Sequence, residues 1–163
     1  AQALAKAIEL KPQIINLSLT GPADPLLQAL IQRAVDAGIV VVGPIARGSD
    51  SGFPGDVPAV LSVVRSEADA SADHALRAPG NEVLTLVPGG GYDFASGDSL
   101  AAAAVSGVSA LVLERQRNLR TDGLRAVLDQ STVTRQNGHS ALRTVDACLA
   151  VAGAANGACT ASR

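Results

Sequence analysis

A serine at the start of the most apolar stretch of the chain is the first candidate for chemistry. Residues 94–113 open with small and polar residues, ASGDS at 95–99, and continue as a nearly unbroken run of Ala, Val and Leu. Such a run predicts a core helix, buried on every side. Ser99 falls in its first turn, where unpaired N–H groups and the positive end of the helix dipole favour a nucleophile. The alternative is that Ser96, Asp98 and Ser99 only cap the helix.

The elements around this serine follow an α/β pattern. Short apolar runs rich in β-branched residues predict buried parallel strands, and amphipathic stretches between them predict helices. The predicted strands are 14–19, 39–42, 59–65 and 83–87, and the predicted helices are 1–10, 25–37, 122–130 and 140–152. Residues 66–77 are polar and predict a short exposed strand or a loop. The fold expected is three-layer α/β, with a mainly parallel sheet and helices on both faces.

Three loops of this predicted fold should meet at one edge of the sheet. They are Ser18–Pro22, Gly43–Gly48 and the turn that leads into Ser99. In parallel sheets, ligands gather at the carboxyl ends of the strands, so this edge is the expected binding site.

Composition excludes several function classes. The net charge is −2 and there is no basic tract, so we expect no nucleic-acid partner. No apolar run is long enough to span a membrane, so we expect no membrane partner. We also expect no cofactor: the glycine-rich loop at 88–91 lacks the Lys-Ser/Thr pair of a phosphate-binding motif.

The two cysteines, Cys148 and Cys159, lie near the C-terminus, with glycines between them that allow the chain to turn back. Their spacing favours a disulfide over two free thiols and predicts a secreted or periplasmic protein. They lack the C-x-x-C spacing of a metal site, and we expect no metal.

The stretch SGDSLAAAAVSGVSALVL resembles the serine motif of the subtilisin-like serine peptidases, Gly-Thr-Ser-Met-Ala-x-Pro, which is followed in that family by Val-x-Gly-x-x-Ala-Leu. The matching residues are Gly97, Ser99, Ala101, Val105, Gly107, Ala110 and Leu111. Asp98, Leu100 and Ala103 depart from the motif, standing where the family has Thr, Met and Pro. The resemblance covers roughly residues 1–150 and implies that Ser99 is the nucleophile.

Two upstream stretches extend the resemblance. IINLSLTGP at 14–22 is similar to the family strand that pairs with substrate, which implies that the segment Ser18, Leu19, Thr20 and Gly21 forms one wall of the specificity pocket. AGIVVVGPIARG at 37–48 resembles the stretch that ends in the oxyanion Asn. Arg47 falls at the Asn position and Ala46 at the preceding Gly. Because Arg47 and Asp98 carry opposite charges, we hypothesise that they form an ion pair, or else that Asp98 caps the helix and Arg47 points into solvent.

The family's Asp and His motifs lie before the strand that matches 14–19, and this chain begins one helix before that strand. His74 and His139 read as surface loop residues, so the chain alone is predicted to be inactive. The resemblance implies the C-terminal part of a serine endopeptidase domain at 1–152, with a tail at 153–163 that the disulfide could tie. The alternative is a degenerate domain, a pseudoenzyme that binds peptide or serves as a scaffold.

The expected partners follow from the same resemblance. They are a peptide or protein substrate and either the missing N-terminal half of the domain or a second copy of the chain, because apolar edges left open seek partners.

Overall fold

The computed structural model describes residues 1–45, 52–66, 74–137 and 140–154. The helices are α1 (Gln2–Glu9), α2 (Pro25–Asp36), α3 (Asp98–Arg115), α4 (Thr121–Gln130) and α5 (Ala147–Ala154). The strands are β1 (Ile14–Asn16), β2 (Val40–Pro44), β3 (Leu61–Arg65), β4 (Leu76–Ala78), β5 (Val83–Val87), β6 (Gly91–Ala95), β7 (Thr132–Asn137) and β8 (Ser140–Val145).

A four-stranded parallel sheet in the order β1-β2-β3-β4 forms the middle layer. Alternate residues of β2 face opposite sides, because successive side chains of a strand point in opposite directions. Val41 joins the core made with α1 and α2, whereas Val40 and Val42 join the core made with α3, α4 and α5. The prediction of a three-layer α/β fold with helices on both faces of a parallel sheet is therefore confirmed.

Helix α2 begins and ends as its sequence predicts. The Asp24 side chain accepts a hydrogen bond from the Leu27 backbone nitrogen at 2.8 Å, which caps the helix. Gly38 follows the helix with φ +83°, a conformation that glycine adopts without steric cost. The buried face of α2 runs through Ile31 and Ala34, and Leu26 lies outside it and is 60% exposed.

Helix α3 differs from the prediction of a helix buried on every side. One face packs against the sheet and is formed by Ala101, Ala102, Val105, Ser109, Val112 and Leu113. The opposite face is an exposed apolar stripe that contains Ala103, Ala104, Gly107, Ala110 and Leu111. The N-cap is Gly97, which makes no side-chain cap hydrogen bond, and the described bonds of the Ser96 hydroxyl and the Asp98 carboxylate go to residues 81–82 and to Arg65.

The remaining differences concern short strands. β5 does not join the main sheet but pairs with β6 as an exposed antiparallel hairpin, and β6 was not predicted. Residues 76 and 77, expected in an exposed strand or a loop, form the buried edge strand β4 together with Ala78.

The last helix begins at Ala147 and not near 140, because residues 132–137 and 140–145 form the antiparallel hairpin β7–β8. The strands of this hairpin contain Thr132, Val133, Thr144 and Val145, and β-branched side chains favour strands over helices.

Candidate active site

Ser99 and Ser18 meet at the carboxyl edge of the sheet. Ser99 is the second residue of α3 and is exposed, and its Oγ donates a hydrogen bond to the Ser18 carbonyl oxygen at 3.3 Å. The Ser18 Oγ donates in return to the Ser99 carbonyl oxygen at 3.0 Å. The side-chain amide of Asn16, the last residue of β1, lies 2.9 Å from the Ser18 Oγ and orients it. The loop after β1 and the turn before α3 therefore converge, as the sequence predicts.

The turn that precedes α3 and Ser99 is hydrogen-bonded to the segment after β4. The Gly97 backbone nitrogen donates to the Gly80 carbonyl oxygen at 2.8 Å. The Ser96 hydroxyl accepts from the Glu82 backbone nitrogen and donates to the Asn81 side chain, both at 2.9 Å. A Cβ on Gly80 would lie 2.8 Å from the Gly97 carbonyl oxygen. Only glycine at position 80 allows this approach, which places the start of α3 against the sheet.

Asp98, the first residue of α3, is anchored to the end of β3. Its Oδ1 accepts a hydrogen bond from the Arg65 backbone nitrogen at 2.8 Å, and the Arg65 Nε lies 4.0 Å from the same oxygen. The carboxylate is only partly exposed, so the contact is shielded from water. A negative charge therefore lies one residue before the candidate nucleophile.

An apolar cavity of about 270 Å³ lies beside the segment that follows β1. The side chains of Leu17 and Leu19 line it, together with residues of α1 and α2 and with Phe53. It has room for one large apolar side chain rather than for a whole small-molecule ligand. Ser18, Leu19 and Thr20, which adjoin this cavity along the chain, are exposed.

A family model described as the Subtilase family matches residues 1–146. The chain belongs to the subtilase family. An intracellular serine protease of Paenibacillus polymyxa is 35% identical over 153 residues, which cover 81% of this chain and 47% of that protein. Subtilisin E of Bacillus subtilis is 32% identical over 124 residues, which cover 67% of this chain and 32% of that protein. The chain thus spans about half or less of the length of these curated relatives.

Solved structures give the same fold. The patellamide maturation protease PatA matches with a TM-score of 0.75 and 25% identity, covering 96% of this chain and 68% of that one. Fervidolysin of Fervidobacterium pennivorans, a keratinolytic enzyme related to subtilisin, has a TM-score of 0.78 at 19% identity and covers 98% of this chain and 29% of that one. The chain therefore carries part of a subtilisin-like protease domain.

His74, the histidine among the described residues, lies at the opposite edge of the sheet from Ser99. His74 is exposed and precedes β4, and its carbonyl oxygen accepts a hydrogen bond from the Arg125 guanidinium at 3.0 Å. The same guanidinium binds the carbonyl oxygen of Val60, the residue before β3. His74 therefore lies at the amino ends of the strands, whereas Ser99 lies at their carboxyl ends. His139 is outside the described residues.

Several predicted site residues are also outside the described part of the chain, and their roles stay predictions. These are Ala46, Arg47 and Cys159. The predicted Arg47–Asp98 ion pair and the Cys148–Cys159 disulfide each include one of them. Cys148 lies in α5 and its side chain is exposed.

Sequence reasoning missed three residues that build the site: Asn16, Arg65 and Gly80. A signal existed for two of them. Asn16 and Arg65 are the last residues of parallel strands, so both had to lie at the carboxyl edge with Ser99. Gly80 ends an Ala-Pro-Gly turn, but only the fold reveals which backbone approaches it.

Within the described ranges, no helix is long and apolar enough to cross a membrane. The same residues contain no group of three or more His, Cys, Asp or Glu side chains that could hold a metal ion.

Proposed function

We propose that this chain is the C-terminal part of a subtilisin-like serine endopeptidase domain, with Ser99 as the nucleophile. The observation that carries the proposal is the reciprocal contact between Ser99 and Ser18. The hydroxyl in the first turn of α3 then lies beside the exposed residues 18–20, where we expect a substrate backbone to bind.

The substrate would lie along the segment 18–21 as an added strand, with an apolar side chain in the cavity beside Leu17 and Leu19. The Ser99 Oγ would attack the scissile carbonyl carbon, forming a C–O bond while its proton passes to a histidine. The histidine would then give this proton to the leaving amine as the C–N bond breaks. Water would release the acyl group from Ser99 in the second half of the reaction.

The histidine and its orienting aspartate would come from an N-terminal part of the domain. Two surfaces support such a part. β1 is at one end of the four-stranded sheet, and α3 exposes an apolar stripe where Leu111 is 48% exposed. Apolar surface on a helix of this kind favours burial against another element.

A peptide-binding or scaffold domain without catalytic activity is the second candidate, favoured by the anchored carboxylate of Asp98. A negative charge beside Ser99 opposes the negative charge that develops on the substrate oxygen. If Arg47 pairs with Asp98, its guanidinium is also turned away from that oxygen. Subtilases use an Asn donor at this position, and in subtilisin itself the loss of that donor raises the activation barrier by about 2.7–4 kcal/mol.

The proposed location is secreted or periplasmic, and the proposed disulfide between Cys148 and Cys159 supports it, because disulfides persist in oxidising compartments. One matched relative is named an intracellular serine protease, so family membership does not decide the compartment.

A fluorophosphonate probe separates the two candidates. Applied to a protein that carries the complete domain, the probe should label Ser99, and Ser99→Ala should abolish labelling. The Ser106→Ala variant is a matched control, since Ser106 lies on the same helix and donates to the Ala102 carbonyl. Absence of labelling, together with binding of an extended apolar peptide to the segment 18–21, would favour the non-catalytic candidate.

A further inference from the structure

The hairpin β5–β6 exposes its most hydrophobic face. Leu84 lies directly opposite Phe94 and Leu86 directly opposite Tyr92, so the four side chains share one face of the hairpin. They are between 59% and 72% exposed. The other face carries smaller residues, among them Thr85 and Ala95, and is partly covered. We call the face made by Leu84, Leu86, Tyr92 and Phe94 the outer hairpin face.

The composition of the chain makes this arrangement unusual. The chain has one tyrosine, two phenylalanines and no tryptophan. Two of these three aromatic residues lie on the outer hairpin face, although aromatic side chains contribute most when they are buried. Neither contributes to the described core clusters, whereas Phe53 does. An exposed apolar patch of this kind on a folded chain marks an interaction site.

We propose that the outer hairpin face is a homodimer interface, on which two copies of the chain pack around a two-fold axis. The four side chains carry no charge, so nothing on the face favours a charged partner. A second copy presents the same apolar face, and a two-fold dimer needs only a surface that is complementary to itself. A two-fold axis in the plane of the interface and parallel to the strands would lay the leucines of one copy, all on β5, on the aromatic rings of the other, all on β6.

The exposed area is in the range that a weak dimer needs. From the exposed fractions, the four side chains present roughly 500 Å² per copy. Two copies would bury at most roughly 1,000 Å² in total through these side chains, which is at the lower limit for a specific protein interface. We therefore expect a reversible dimer with a dissociation constant of about 10 to 500 µM.

Tyr92 provides the readout, because as the only tyrosine in a chain without tryptophan it accounts for the intrinsic fluorescence. Sedimentation equilibrium of the 163-residue chain gives the dimer constant, and acrylamide quenching of Tyr92 is measured over the same concentrations. We expect quenching to fall as the dimer forms. Leu86→Thr and Phe94→Thr should each weaken the dimer by about tenfold or more. Leu111→Gln, on the exposed stripe of α3, should leave the dimer constant unchanged.

The variants change exposed side chains, so their far-ultraviolet circular dichroism and thermal transitions should match those of the parent chain. A chain that stays monomeric at about 1 mM, which is about twice the upper end of the expected dissociation constant, overturns the proposal. A dimer in which Tyr92 quenching does not change with concentration overturns it as well, as does a dimer that is lost in Leu111→Gln but kept in the hairpin variants. Strong protection of Tyr92 in the monomer, as from another segment or a bound peptide, would also contradict it.

Discussion

Asp98 fixes the start of α3 to the end of β3, with its Oδ1 2.8 Å from the Arg65 backbone nitrogen. The helix starts at Asp98 after the N-cap Gly97, which offers no side chain to cap it. The contact to Arg65 therefore fixes the position of the first turn relative to the sheet, although it does not satisfy a backbone N–H of the helix itself. Ser99 follows directly, so the same contact positions its hydroxyl.

The first prediction concerns this contact. Asp98→Ala leaves the Arg65 N–H without its acceptor, and we expect the free energy of unfolding to fall by about 1 to 2 kcal/mol in urea titrations. Asp98→Asn retains an acceptor oxygen and should lose less. Glu9→Gln is the control, because the Lys6–Glu9 pair is exposed and should change stability by less than about 0.5 kcal/mol. Equal stabilities for Asp98→Ala and the parent chain would show that the contact does not hold α3.

The second prediction concerns Gly80. In Gly80→Ala the new Cβ would lie 2.8 Å from both the Arg65 Cβ and the Gly97 carbonyl oxygen, so the backbone before Ser99 must move. We expect a loss of about 1 to 3 kcal/mol in the free energy of unfolding, measured by the same urea titrations.

The control for Gly80 is Gly107→Ala. Gly107 lies on the exposed side of α3, and a Cβ there would meet no atom within 4 Å. Alanine should therefore increase helix stability by about 0.5 to 1 kcal/mol. Stability changes of the same sign in the two variants would contradict this interpretation of Gly80.

The layered α/β fold could be predicted because its strands are short, apolar and separated by amphipathic helices, a pattern with few compatible topologies. The exposed face of α3 could not be predicted, because the apolar run gives no indication of which side meets the sheet. The strands of β7–β8 were missed for a related reason. Residues 140–152 contain enough Ala and Leu for a helix, but residues 140–145 pair with 132–137 as a strand and only the part from Ala147 is helical.

At the site, the sequence identified the two segments that meet but not the contacts that hold them. Ser18 and Ser99 are 81 residues apart, and their meeting follows from the convergence of strand ends. The donor to Asp98 is the backbone N–H of Arg65, a group that every residue except proline has. The sequence therefore does not indicate which N–H lies opposite Asp98, and only the folded structure shows it.

The third prediction concerns Ser109, whose hydroxyl is fully buried with no hydrogen-bond partner among the described residues. Burying an unpaired hydroxyl is costly, and alanine is also the better helix former. Ser109→Ala should therefore raise the free energy of unfolding by about 1 to 2 kcal/mol. Ser106→Ala, whose hydroxyl is bonded to the Ala102 carbonyl, should stay within about 0.5 kcal/mol of the parent chain. A destabilised Ser109→Ala variant would mean that the hydroxyl has a partner.

The fourth prediction concerns the proposed disulfide. Iodoacetamide under denaturing conditions should add no mass to the untreated chain and two adducts after reduction, if Cys148 and Cys159 are bonded. Replacing both with serine should lower the free energy of unfolding by about 3 kcal/mol, because closing a short loop restricts the unfolded chain. Two adducts without reductant would show that the thiols are free.

The last prediction is that the 163-residue chain does not hydrolyse peptides or esters on its own. Ser99 has neighbours that position it, but His74 lies at the opposite edge of the sheet. Among the described residues no histidine lies beside Ser99, and without a base and an orienting acid residual catalysis should not exceed the ~10³–10⁴-fold over water that binding and an oxyanion site leave. Release of a chromogenic leaving group from a peptide substrate is the measurement, with Ser99→Ala prepared in parallel to identify contaminating proteases. Hydrolysis that exceeds this level and disappears in Ser99→Ala would mean that a base within this chain, such as His139, reaches the serine.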